Sequence, residues 1–348
     1  MTVDRLLEIN EAMNDASNIL IPELSSHRPV PGRRGLQKAV GTYCAVYVLR
    51  RGGEAHPSKC LRFWYNEGER SRRLHESARR ISSLLRETGA PYFCMQEYYE
   101  RALRLSDGTV IPATVMDWMP RSLDQWLSSD DRPTSYEYAD MARQMREISG
   151  FMKRNGITHG DLAPANILVG GDVRLKLIDF DSLEWPAMEI RCGEPGIAGV
   201  PRFNRKERFS KPRTAADDHL AQQLIHLMLL AYSRHPGLNT ASSGEDVFLF
   251  DESEIATAAA LRRSASYGRI VRTDDPELVH YLHEVEKALS CPYGEVRPLC
   301  DVLYRGEGPR RTRILKPAPF CGGCGHGFED EEENYCPECG TRRERVAL

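Results

Sequence analysis

Asp161, Asn166 and Asp179 stand at spacings that could do chemistry, in the stretch His159-Gly160-Asp161-Leu162-Ala163-Pro164-Ala165-Asn166-Ile167-Leu168-Val169 and its sequel Leu175-Lys176-Leu177-Ile178-Asp179-Phe180-Asp181. Phosphoryl transfer needs a carboxylate near the attacking hydroxyl and hard oxygen ligands for the magnesium ions that neutralise a triphosphate. Asp161 suits the first role. Taken singly, each of these residues is an ordinary surface-turn residue. An Asp, an Asn five residues later and an Asp-Phe after an apolar run are together a motif with a mechanism.

A second chemistry stands near the end of the chain. Cys321-Gly322-Gly323-Cys324 and Cys336-Pro337-Glu338-Cys339 are paired Cys-x-x-Cys knuckles, each followed by a glycine, Gly325 and Gly340. Two intervening residues let both sulfurs reach one ion, and four thiolates close a tetrahedron around Zn2+ with no open position, so the implied site is structural. Redox pairing of the thiols is the competing reading, and two matched knuckles in a segment too short for its own core favour the metal. His326 is expected to be a bystander. Cys44, Cys60, Cys94, Cys192, Cys291 and Cys300 show no ligand spacing.

The elements that must position these groups follow from periodicity. Residues 3–20 carry apolar side chains at helical spacing; 43–49 and 60–64 read as a hairpin around Arg51-Gly52-Gly53; 67–86 is helical; and 92–95, 102–105 and 114–119 read as short strands. Beyond Pro120 the pattern turns helical, at 136–155, 217–232, 255–263 and 276–289, interrupted by short strands at 166–169 and 174–179. The expected division is an N-terminal helix (1–30), a sheet-rich lobe (31–120), a helical lobe (121–304), a linker (305–319) and a zinc ribbon (320–342). The 348 residues, 41% hydrophobic and 28% charged, are those of a globular protein, and a net charge of -3 gives no general reason to expect nucleic acid or an anionic membrane. The start lacks the order of a signal peptide, and the apolar run 220–232, broken by Gln222, Gln223 and His226, is too short to span a bilayer. A cytoplasmic protein with reduced cysteines is the resulting expectation.

The stretch from His159 to Asp181 resembles the catalytic and metal loops of protein kinases. The resemblance covers roughly residues 36–290 and implies an α+β, two-lobe protein-kinase-like fold with an appended C-terminal zinc ribbon built on the four clustered cysteines. It implies that Asn166 and Asp179 hold Mg2+, that His159 braces the loop, and that ATP is the phosphoryl donor. His-Gly-Asp in place of His-Arg-Asp also occurs in aminoglycoside and choline phosphotransferases, so a small-molecule phosphotransferase stays open beside a serine/threonine protein kinase. Gly193-Glu194-Pro195-Gly196 with Gly199-Val200-Pro201-Arg202-Phe203 resembles an activation segment, and Asp218-His219-Leu220-Ala221 the start of the helix beneath the catalytic loop; both favour the protein-kinase branch. Leu61-Arg62-Phe63-Trp64, Asp179-Phe180-Asp181 and Phe248-Leu249-Phe250 resemble a bacterial group of divergent kinase-like proteins. A protein substrate follows from that likeness. The acidic run Glu329–Glu333 argues against nucleic acid on that face of the ribbon, although Arg342, Arg343 and Arg345 could grip it, and a protein partner is the expectation.

The sequence departs from the kinase pattern at three further places. The strand lysine that contacts ATP phosphates is replaced: register places Arg62 there, with Lys59 nearer the strand mouth and Glu76 on the next helix as the carboxylate partner. The glycine-rich loop is reduced to Gly35 and Gly41, with Gly41 the best remnant. Asp181 stands where glycine usually follows Asp-Phe. Met116-Asp117-Trp118-Met119 is the expected hinge against which adenine would sit. These departures keep a non-catalytic, nucleotide-binding pseudokinase scaffold open as an alternative.

Overall fold

The computed structural model describes residues 2–41, 44–65, 68–191, 201–205, 207, 211–239, 248–306 and 315–317. Of the C-terminal segment it describes 321, 324, 326–328, 335–339, 341, 343 and 345–347. The chain forms two compact units, Met1–Val302 and Leu303–Leu348.

The first unit is a mixture of sheet and helix. Its N-terminal part contains α1 (Thr2–Met13), β1 (His27–Pro29), β2 (Lys38–Val40), β3 (Cys44–Arg51), β4 (Lys59–Trp64), α2 (Glu69–Thr88), β5 (Gln96–Arg104) and β6 (Val110–Asp117). The strands pair antiparallel in the order β1-β3-β4-β6-β5, with β2 also on β3. Strand β4 is paired on both edges, by β3 and β6, and its side chains from Cys60 to Trp64 are buried on both faces of the sheet. One face of this sheet offers Ala45, Tyr47, Leu49, Leu61, Phe63, Leu103 and Ala113, and it is covered by Ile9, Met13, Ile19, Ile21 and Leu24 of the N-terminal segment. Asn10 ties that segment down, its side-chain oxygen accepting from Lys38 Nζ and the Tyr47 hydroxyl at 2.6 and 2.5 Å. Helix α1 stops at Met13 rather than running to 20, because the Asp15 carboxylate takes the Ser17 N–H and starts a short 3-10 turn. Residues 92–95, expected as a strand, form a turn with one bridge from Phe93 to Leu177. The two following strands are longer than expected and meet in a hairpin at Asp107-Gly108, with Gly108 at φ 85°.

The C-terminal part of this unit holds β7 (Arg121–Ser122), α3 (Leu123–Leu127), α4 (Ser135–Asn155), β8 (Ile167–Val169), β9 (Leu175–Leu177), α5 (His219–Arg234), α6 (Ala258–Arg263), α7 (Ala265–Val271) and α8 (Pro276–Ser290). Helix α4 begins on a capping box between Thr134 and Glu137 and ends at Gly156 in the left-handed conformation. Its buried stripe of Met141, Met145, Ile148 and Met152 packs on α5, which is buried from Leu220 to Tyr232. Two of the polar residues inside α5 are tied to neighbouring elements. Gln222 Oε1 accepts from Ser149 Oγ at 2.6 Å, and Gln223 Nε2 donates to the Arg297 carbonyl at 2.7 Å. The apolar run 220–232 is therefore a core helix. Among the described residues no helix is long and apolar enough to cross a membrane.

In the second unit Leu315–Pro317 pairs antiparallel with Arg345–Ala347, so part of the stretch expected as a linker is paired with residues beyond the expected ribbon end. The sequence segment 192–200, which includes Cys192 and most of the activation-segment likeness, and the acidic run 329–333 lie outside the described residues.

Candidate active site

The loop around Asp161 is held from three sides. Thr158 exchanges backbone hydrogen bonds with Glu184. The His159 and Gly160 N–H groups both donate to Asp218, at 2.5 and 2.9 Å, in a fully buried contact. One carboxylate at the head of α5 thus fixes two successive peptides of the loop. The buried His159 ring bridges the loop to the next strand: Nδ1 accepts from the Asp161 N–H at 3.3 Å, which leaves Nε2–H to donate to the Ile178 carbonyl at 2.8 Å. That pair of bonds selects the neutral Nε2–H tautomer. Asn166 Nδ2 donates to the Asp161 carbonyl at 2.8 Å, and the Asn166 carbonyl accepts from the Ile178 N–H at 3.0 Å. The β8–β9 hairpin then delivers Asp179 next to this loop, at φ 64°. Phe180, buried, packs tilted against Phe93 with ring centroids 5.2 Å apart and meets His159 edge-on at 6.1 Å, anchoring the turn.

Gly160 explains the departure from His-Arg-Asp. Its φ is +80°, and a Cβ there would collide with Arg213 Nη2 and lie 2.6 Å from the Ser182 carbonyl. Arg213 fills that space with a buried guanidinium that donates to the Ser182 carbonyl at 2.6 Å and pairs with Glu184 at 3.2 Å and Asp217 at 3.7 Å. A cation is present beside the loop, but a segment 53 residues downstream (213 − 160) supplies it.

From the sheet side comes Arg62. Its Nη2 lies 2.9 Å from Asp179 Oδ1 and 2.8 Å from Asp181 Oδ2, its Nε 3.3 Å from Cys44 Sγ, and its guanidinium carbon 5.0 Å above the Trp64 ring. Burial by itself would lower the guanidinium pKa; Asp181 and Asp179 outweigh burial and hold it well above the ordinary arginine value. Burial likewise raises the Cys44 thiol, against the opposing pull of Arg62. Lys59 lies at the strand mouth and pairs with Asp117 at 2.5 Å, both partly exposed.

Two expected site residues are placed otherwise. Glu76 does not reach Arg62: it is exposed and pairs with Arg80 one turn along α2, at 2.7 Å. The residue that faces the sheet is its neighbour His75, whose ring lies 4.9 Å from Trp64 and 6.0 Å from Tyr98. One residue along a helix turns the side chain by about 100°, enough to exchange inside for outside. Gly41 follows β2, and its N–H donates to the Cys44 carbonyl at 2.8 Å while its own carbonyl accepts from the Tyr65 hydroxyl, so its amide is already engaged. The carboxylates that serve Arg62 are Asp179 and Asp181, the latter read from sequence as a replaced glycine and a further oxygen near the metal.

The expected hinge runs from Met116, at the end of β6, to Met119. Trp118 N–H donates to the Ser58 carbonyl at 3.0 Å, and the Met116 and Asp117 carbonyls face the thiols of Cys60 and Cys94 at 3.7 and 4.0 Å. Burial raises Cys60 to about 12 and Cys94 to about 11, so both stay protonated thiols.

In the second unit the Sγ atoms of Cys321, Cys324, Cys336 and Cys339 lie within 4.8 Å of one another, with 3.5 Å between Cys321 and Cys339 and between Cys324 and Cys336. Tetrahedral Zn–S bonds of about 2.3 Å require sulfurs about 3.8 Å apart. The donor set fits, and these cysteines could hold a metal ion such as zinc. The knuckles are closed by matching bonds, from Cys321 N–H to the His326 carbonyl and from Cys336 N–H to the Thr341 carbonyl, both 2.8 Å. Thr341, whose hydroxyl lies 3.1 Å from Cys339 Sγ, lowers that thiol to about 6 with help from its backbone N–H.

No protein-family model matches the chain, and no curated protein does. Among the many solved chains that match is the kinase PK-1 of Cydia pomonella granulovirus, at 16% identity and a TM-score of 0.41, over 60% of this chain and 70% of that one.

Proposed function

We propose that the first unit is a protein-kinase-like phosphotransferase that moves the γ-phosphate of Mg·ATP to a serine or threonine hydroxyl of a protein. The observation that carries this reading is the meeting of a strand cation and a loop carboxylate 117 residues apart: Arg62 Nη2 against Asp179 Oδ1 at 2.9 Å, beside a loop locked by His159 and Asp218. The donor chemistry fits the metal, since Asp179 and Asp181 already converge on one cationic nitrogen and Asn166 lies on the same hairpin. When bound, magnesium supplies charge neutralisation to the triphosphate. Asp179 and Asn166 would hold it, Arg62 would contact phosphate oxygens as a fork, and Asp161 would orient the acceptor hydroxyl and take its proton. The segment 116–119 would supply the wall for the adenine. The second unit, with its four cysteines closed around zinc, would recruit or regulate by docking a protein.

A non-catalytic nucleotide-binding scaffold is the second reading, favoured by the committed N–H of Gly41 and the engagement of Arg62 by both acids. The two separate on incubation of the purified chain with labelled ATP, Mg2+ or Mn2+ and a cell extract. Label on protein, lost by a factor of about 10²–10⁴ in Asp161→Asn while ATP binding persists, supports the kinase. Binding without turnover supports the scaffold, and label on a small molecule alone would point to a metabolite or antibiotic kinase.

A further inference from the structure

The counter-charge that sequence register assigns to a helix carboxylate comes to Arg62 from the metal loop instead. Glu76 points to solvent, and the two acids on Arg62 are Asp179 and Asp181, two residues apart across the turn that Phe180 anchors. A single guanidinium nitrogen touches one oxygen of each at hydrogen-bond distance. It therefore sits where the two carboxylates converge, which is also where a divalent cation would draw them together. The rest of the guanidinium is fixed independently of both acids, by the Cys44 thiol on Nε and by the Trp64 ring beneath it.

We propose that Arg62 is an internal stand-in cation: it bridges Asp179 and Asp181 when no metal is bound, releases Asp179 to an entering divalent ion, and stays anchored on Asp181. This rests on the phosphotransferase reading for the identity of the metal loop. Two like charges brought this close without a cation would repel, so a positive group is needed there in every state. Helix α2 is thereby relieved of the task. Asp181 becomes a positioning residue, keeping the guanidinium in the cleft after Asp179 has changed partner. The entering ion adds two positive charges to the cluster: one arginine on two carboxylates becomes one arginine on one carboxylate, with the metal on the other, an excess that an incoming anionic phosphate would offset.

The test uses the full-length, zinc-loaded protein and Mn2+ alone, read by electron paramagnetic resonance of the free ion, with no nucleotide and no turnover. Arg62→Gln should bind Mn2+ at least tenfold more tightly than the unaltered chain, and adding Asp179→Asn should abolish the gain. Arg62→Lys, which keeps a charge with a single-point donor, should fall between. Because Arg62→Gln leaves two carboxylates uncompensated, its fold is followed in parallel: Mn2+ should raise its unfolding temperature by more than it raises that of the unaltered protein. Equal or weaker Mn2+ binding by Arg62→Gln, with no added thermal stabilisation, overturns the proposal. Absence of phosphoryl transfer by the unaltered chain would count against the kinase reading and leaves the Mn2+ comparison as decisive as before.

Discussion

Replacing Asp218 by alanine removes the acceptor of two buried peptide N–H groups at once, those of His159 and Gly160. Asp218 itself is 2% exposed, so water cannot take its place without opening the loop. Each buried donor left without a partner costs about 1–3 kcal/mol, which puts the loss at about 2–6 kcal/mol. Asp218 stands at the N-cap position of α5 but makes no side-chain cap bond there, so the loss reports the loop rather than helix capping. For a unit of this size roughly 2 °C per kcal/mol is expected, a fall in unfolding temperature of about 4–12 °C. Asp218→Asn keeps one acceptor oxygen and turns an amide N–H₂ toward the other peptide, so it should fall short of alanine but stay clearly below the unaltered protein. Thermal unfolding followed by tryptophan fluorescence reads the stability, and hydrogen exchange at His159 and Gly160 reads the loop. An unchanged midpoint in Asp218→Ala with unchanged protection of both amides would refute the idea that this carboxylate holds the loop.

Charge removal should separate Arg62 from Lys59. In a nucleotide-binding titration Arg62→Ala is expected to lose affinity, whereas Lys59→Ala, which breaks only a part-exposed pair with Asp117, is expected to lose little; the reverse order would move the phosphate contact to Lys59. Stability should fall with acidity through His226, which burial, aided by Arg146 and Arg234, takes from 6.5 to about 3. The unfolded chain protonates it near 6.5 and the folded chain only near 3, so stability is full above about 6.5 and drops as pH falls through that window, by about 2 kcal/mol at pH 5. Urea midpoints at pH 7.5 and 5 should show this, and His226→Gln should flatten the difference. Metal analysis should give one zinc per chain, lost in a Cys336→Ser, Cys339→Ser double variant that still binds ATP; freshly purified reduced protein without zinc would remove the ribbon assignment.

Much of the scaffold is legible in the sequence because its signals are local. The 136–155 helix differs from α4 by one residue at its start, since a capping box and a closing glycine mark both ends in the sequence. The four cysteines converge as their spacing requires. What escapes is what depends on phase or on partners far along the chain. Helix α2 is arginine-rich on several sides, so hydrophobic spacing does not decide between His75 and Glu76; contact with Trp64 decides it. The β5–β6 hairpin reads as shorter pieces because β5 alternates poorly, although Asp107-Gly108 carries the turn signal. Arg213 has no local signal at all. Its role appears only once Gly160 is seen at positive φ with a guanidinium where its side chain would be.

The N-terminal segment has a bearing on where this protein can be cut. Ile9, Met13, Ile19, Ile21 and Leu24 share one core with Tyr47, Leu61 and Phe63, and Asn10 bonds to both β2 and β3. A chain begun at residue 31, close to where the kinase resemblance starts, would leave an oily sheet face open to water and to its own copies. The smallest piece that folds cleanly therefore starts upstream of the kinase-like motifs, and the motif-bearing stretch and the folding unit are not coextensive.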